Sequence, residues 1–192
     1  MNDRLAGLFA RMDGANALDP TLEEAAEGAK PAALLYGRRM SQVLDDFAPG
    51  ASEALKIAAR GQHIERWMRP RSNYPEGREG YLDWRRDAAR YHAARAAALM
   101  QDAGYDPAIC ERVSSLMLKK NLKTDPEAQT LEDVACLVFF RWYAGAFSEK
   151  HEPERMLAIV SKTARKMSAK GRAAAAMLDL PAHVMDAIAA AP

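Results

Sequence analysis

The chain has 192 residues, long enough for one substantial hydrophobic core. Its 27 basic and 26 acidic side chains nearly cancel, which removes the charge excess of a general nucleic-acid or membrane-surface binder. No stretch approaches the roughly 18 apolar residues of a spanning helix, the first residues lack a signal-peptide core, and Cys110 and Cys136 have neither CxxC nor zinc-cluster spacing. The expectation is a cytoplasmic protein with reduced thiols and no membrane association.

Alanine, leucine, methionine, arginine and glutamate dominate, and no segment alternates β-branched or aromatic residues with polar ones. This predicts an all-α fold, a compact bundle forming one helical domain over 1–192. The periodicity predicts helices over 2–12, 21–29, 32–47, 52–67, 79–103, 107–120, 127–148, 153–168 and 181–190. Asp19-Pro20, Asp106-Pro107 and Asp125-Pro126 each pair a capping aspartate with a first-turn proline. Gly104 is placed to stop the long helix. Residues 68–80, MRPRSNYPEGREG, break the pattern with two prolines, two glycines and three arginines. A loop of that length inside a helical domain is often functional.

Four histidines are present. His151, in EKHEP, reads as a solvated loop residue, and His183 as an exposed or capping one. His63 follows Leu55 and Ala59 at four-residue steps, and His92 shares a face with Tyr81, Trp84, Arg85, Ala88, Ala96 and Leu99. Asp133 lies on the stripe continued by Leu137 and Phe140. A buried carboxylate needs a partner, whether a hydrogen-bond donor or an ion. Two neutral imidazoles and a carboxylate on three helices form a possible divalent metal site; the alternative is a pair of core histidines and a helix-capping aspartate.

The stretch from ALKIAARGQHIERW onward resembles the HD superfamily of metal-dependent phosphohydrolases. AARGQHI matches its histidine phrase, RYHAARAAALMQDAGYDPAICERVSSLMLKK the following His-bearing helix and turn, and TLEDVACL its terminal aspartate phrase. The resemblance implies an HD-domain-like fold in which His63, His92 and Asp133 hold a divalent metal ion. The chain departs from the pattern at Ile64, where the HD aspartate belongs, and at Tyr36 or Arg39, near the place of an early ligand histidine. Lys119-Lys120-Asn121 stands where some members carry another histidine. A closer similarity, over nearly the whole chain, is to domain of unknown function 4202. It is carried by MDGANALDP, LLYGRRMS, AARGQHIERWMRPRSNYPEGREGYLDWR, YHA, LKKNLKTDPEAQTLEDVACLVF and KTARKMS.

Arg66, Arg69, Arg71 and Arg78 surround Tyr74, and Lys119 and Lys120 end the helix after His92. Such groups suit phosphate or carboxylate oxygens. The expected function is a divergent HD-like hydrolase of a small phosphorylated or anionic metabolite, with Glu65 or Glu132 as general base. The alternative is a non-catalytic anion- or protein-binding module on a degenerate HD scaffold.

Overall fold

The computed structural model describes residues 3–26, 28–145 and 152–189. Residues 2, 27, 146–148 and 190 of the expected helices, and His151, lie outside the described residues. The fold is all-α. Among the described residues, the strands are a two-residue antiparallel pair, β1 (Leu22–Glu23) with β2 (Lys30–Pro31). No described helix is long and apolar enough to cross a membrane. The chain falls into two compact units that interleave in sequence: Met1–Gln42 with Gly50–Lys120, and Val43–Pro49 with Asn121–Pro192.

Unit 1 contains α1 (Asp3–Asn16), the start of α2 (Ala32–Phe47), α3 (Glu53–Gly61), α4 (Gly77–Asp102) and α5 (Pro107–Met117). Short α3 packs against α1, α4 and α5, and Leu55, Ile57, Ala58 and Ala59 are buried there. Each large apolar side chain so buried contributes about 1.5–3 kcal/mol. Small residues let these helices close up. A Cβ at Gly61 would touch Ala96, Met12 and Met117, and one at Gly37 would lie 2.9 Å from the Arg60 carbonyl oxygen.

Two predicted helices differ. α3 stops at Gly61 and not at 67, so His63 sits in a turn beyond the helix. The helix expected over 21–29 is absent: the Asp19 carboxylate accepts the Thr21 and Ala33 N–H groups, both at 2.9 Å. That ties the chain back to the start of α2. Asp106 and Asp125 do cap helices, accepting N–H groups at the starts of α5 and of α6 (Pro126–Val138). Gly104, at φ 74°, follows the end of α4.

Unit 2 contains Val43–Phe47 of α2, then α6, a π-helical turn (Phe139–Tyr143), α7 (Pro153–Ala164), α8 (Ala169–Ala175) and α9 (Ala182–Ala189). α6 packs on α8, and α9 packs on α7 and α8. Cys110 in unit 1 and Cys136 in unit 2 are buried thiols outside any disulfide, and His183 is exposed.

The strongest polar clamp in unit 1 ties three helices. Arg60 donates to both Asp13 oxygens, at 2.8 and 2.7 Å, and to Ser41 at 3.2 Å. Arg38 reaches the same carboxylate at 3.1 Å from a more exposed position. Bidentate pairing of a mostly buried guanidinium matters more than a surface contact. Asp13→Ala is expected to lower the unfolding free energy by about 2 kcal/mol, and Arg38→Ala by under about 0.5 kcal/mol, in chemical denaturation.

Candidate functional site

The turn after α3 carries His63 and is pinned from two sides. Glu65 adopts a left-handed backbone at φ 50°, a conformation that a non-glycine residue holds only when its surroundings impose it. Here the buried Asn16 accepts the Glu65 N–H at 2.9 Å. The Glu65 carboxylate in turn accepts the Tyr91 hydroxyl at 2.6 Å and the Arg95 Nε at 3.0 Å. Ile64 is a fully buried apolar anchor. The motif MDGANALDP therefore has a physical role: Met12 packs in the core, Asp13 clamps Arg60, Asn16 sets the turn, and Asp19 caps toward α2.

The pinned turn presents the Ile64 carbonyl to His92, whose Nδ1 lies 2.6 Å away. A carbonyl only accepts, so Nδ1 carries the proton and Nε2 is left with its lone pair. His92 is 2% exposed, and its Nε2 has no hydrogen-bond partner among the described residues. Burial pulls its pKa down to about 4, against the Ile64 hydrogen bond, with Arg66 and Arg69 also lowering it and Glu65 raising it. The His63 ring lies 5.7 Å from that of His92 and stacks on Tyr36 at 4.1 Å. Burial among protein atoms, then Arg66, His92, Lys119 and Arg85, hold His63 well below the ordinary histidine value. Both rings are neutral at physiological pH.

Of the residues expected to bind an anion, Arg66 and Lys119 act on His63. Arg66 lies over the Trp84 ring at 4.8 Å, and Lys119 has a left-handed backbone, φ 55°. Arg69, Arg71 and Tyr74 instead build the loop. Arg69 pairs with Asp87 at 3.2 Å and covers Tyr91, Arg71 donates to the carbonyls of Tyr74 and Pro75, and the Tyr74 hydroxyl donates to Asp87. Arg78 is exposed, and so is Lys120, 3.4 Å from Glu111. Arg85, exposed on α4, was not among the expected anion binders and also lowers the His63 pKa.

His63 and His92 come together in unit 1, whereas Asp133 and Glu132 belong to unit 2. There Asp133 accepts Ser168 N–H at 2.8 Å, the Ser168 hydroxyl and Gln129 at 3.0 Å, at the N-terminus of α8. The donors and the helix dipole satisfy its charge. Glu132, also buried, has Lys166 at 3.9 Å, and Glu65 is held by Tyr91 and Arg95. Among the described residues, no group of three or more His, Cys, Asp or Glu side chains is placed to hold a metal ion. Two imidazoles whose rings are 5.7 Å apart lie within reach of one ion at metal–nitrogen distances of about 2.0–2.1 Å.

The neutral pair carries a pH signature. A histidine whose folded pKa is depressed favours the folded state above the unfolded pKa of about 6.5 and loses that contribution as pH falls below it. Stability should therefore drop between pH 6.5 and 5 by up to about 1.4 kcal/mol per pH unit per histidine. His92→Asn should reduce that slope in denaturant titrations at each pH.

No curated protein and no solved structure matches the chain significantly. One family model does, over residues 7–188, a range that contains the turn, the loop and the Asp133 cap. The chain belongs to the family described as domain of unknown function, DUF4202.

Proposed function

We propose that the protein binds a small phosphorylated or otherwise anionic metabolite, with unit 1 holding the ligand beside His63 and His92. The observation that carries this reading is the placement of two guanidinium groups beside the paired rings: Arg66 lies over Trp84 at 4.8 Å and Arg69 over Tyr91 at 4.3 Å, and after burial Arg66 lowers the pKa of both His63 and His92. Guanidinium groups beside neutral rings favour an oxyanion over a cation. Guanidinium groups match phosphate oxygens with paired donors, and the ammonium adds a compact charge. The buried thiols of Cys110 and Cys136 suit a reducing compartment, and the cytoplasm is part of this reading.

A second reading, metal-dependent phosphohydrolysis of the HD kind, draws on one atom. The unpaired Nε2 of His92 is oriented by an Nδ1–H bond to a carbonyl, as metal-bound imidazoles commonly are. His63 would be its neighbouring ligand, and a bound ion would supply Lewis acidity toward a phosphoryl oxygen.

Calorimetric titration of the whole chain with inorganic phosphate, pyrophosphate and nucleoside monophosphates tests the first reading. Saturable one-site binding that weakens with salt is expected, with a loss of about tenfold for Arg66→Gln and less for the exposed Arg85→Gln. Absence of binding by all of these at millimolar concentration removes it. A stoichiometric transition metal in protein purified without chelator, lost in His92→Ala, moves the assignment to the second reading.

A further inference from the structure

Cations attract oxyanions of every kind and do not distinguish phosphate from sulfate. His92 has the means to do so. Its Nδ1–H is committed to the Ile64 carbonyl at 2.6 Å, which leaves Nε2 as a pure acceptor. The residue is 2% exposed, and that nitrogen finds no donor among the described residues. A buried acceptor left without a donor is costly, and a ligand that brings a proton removes the cost. A ligand with only negative oxygens places lone pair against lone pair.

We propose that His92 Nε2 makes the anion site of unit 1, beside His63 and Arg66, selective for an oxyanion that still carries a proton, hydrogen phosphate, over one that carries none, sulfate. The proposal rests on the anion-binding reading and names its ligand chemistry. Nε2 is closed to solvent, so contact requires a neighbouring ring to give way. His63, half-buried and 5.7 Å away, is that neighbouring ring. The groups facing the two rings are Tyr36 from α2, Arg85 and Tyr91 from α4, Glu65, Arg66 and Arg69 from the turn, and Lys119 beyond α5. Glu65 is the carboxylate among them, and Tyr91 and Arg95 already hold it.

The test compares inorganic phosphate with sodium sulfate by calorimetry on the whole chain at pH 8, where phosphate keeps one proton. Phosphate is expected to bind at least about tenfold more tightly, the effect of satisfying instead of opposing one buried acceptor. In His92→Asn, whose amide can still donate to Ile64, the two ions should bind within about twofold of each other. Equal affinities in the wild type, or an unchanged gap in the variant, overturn the proposal while leaving anion binding standing. Binding of neither ion overturns both. Should His92→Asn fail to fold, methyl phosphate provides the second arm, because a phosphomonoester loses its last proton near pH 6. Its affinity relative to inorganic phosphate should fall about tenfold between pH 5.5 and 8; parallel behaviour of the two ligands overturns the proposal.

Discussion

The hydrogen bond from His92 Nδ1 to the Ile64 carbonyl is the contact on which the rest of unit 1 turns. It exists because the chain leaves α3 through a left-handed residue, and that residue is held by Asn16 from α1 and by Tyr91 and Arg95 from α4. Without the turn the carbonyl would face elsewhere, and the imidazole would be free to choose its tautomer. With it, one side of the ring is saturated and the other is a fixed lone pair. Backbone strain of about 1–3 kcal/mol is converted into the orientation of one nitrogen.

Charge is distributed accordingly. Unit 1 gathers guanidinium and ammonium groups around two neutral rings and engages its nearby carboxylate in an ion pair. Unit 2 spends Asp133 on the start of a helix and sets Glu132 near Lys166. An active site that ionises metal-bound water needs carboxylates and imidazoles facing a shared point. A site that receives phosphate needs donors and a positive potential. The proposed anion ligand would call on the second pattern.

Local physics explains what could be read from the sequence. The inward direction of His92 follows from its spacing with Ala88 and Ala96, and all three are buried. The caps of α5 and α6 are visible because donor and acceptor lie within three residues. The features that escaped depend on partners far along the chain. The end of α3 needs Asn16 opposite Glu65, 49 residues away. The missing helix at 21–29 needs Asp19 to find Ala33. The employment of Asp133 needs Ser168, 35 residues later, at the start of a helix too short and alanine-rich to show a period. Periodicity detects that a carboxylate faces inward; it does not say which donor waits there.

The cap at Asp133 has a consequence for how related sequences are compared. A Cβ at Gly171 would fall 2.6 Å from the Asp133 carboxyl carbon, so the carboxylate fills the space a side chain would take. Positions 133 and 171 thus form a coupled pair: an alanine at 171 displaces the aspartate, and a smaller residue at 133 opens room for a larger one at 171. In any homologue that keeps this helix, an exchange at one of the two positions should be accompanied by an exchange at the other.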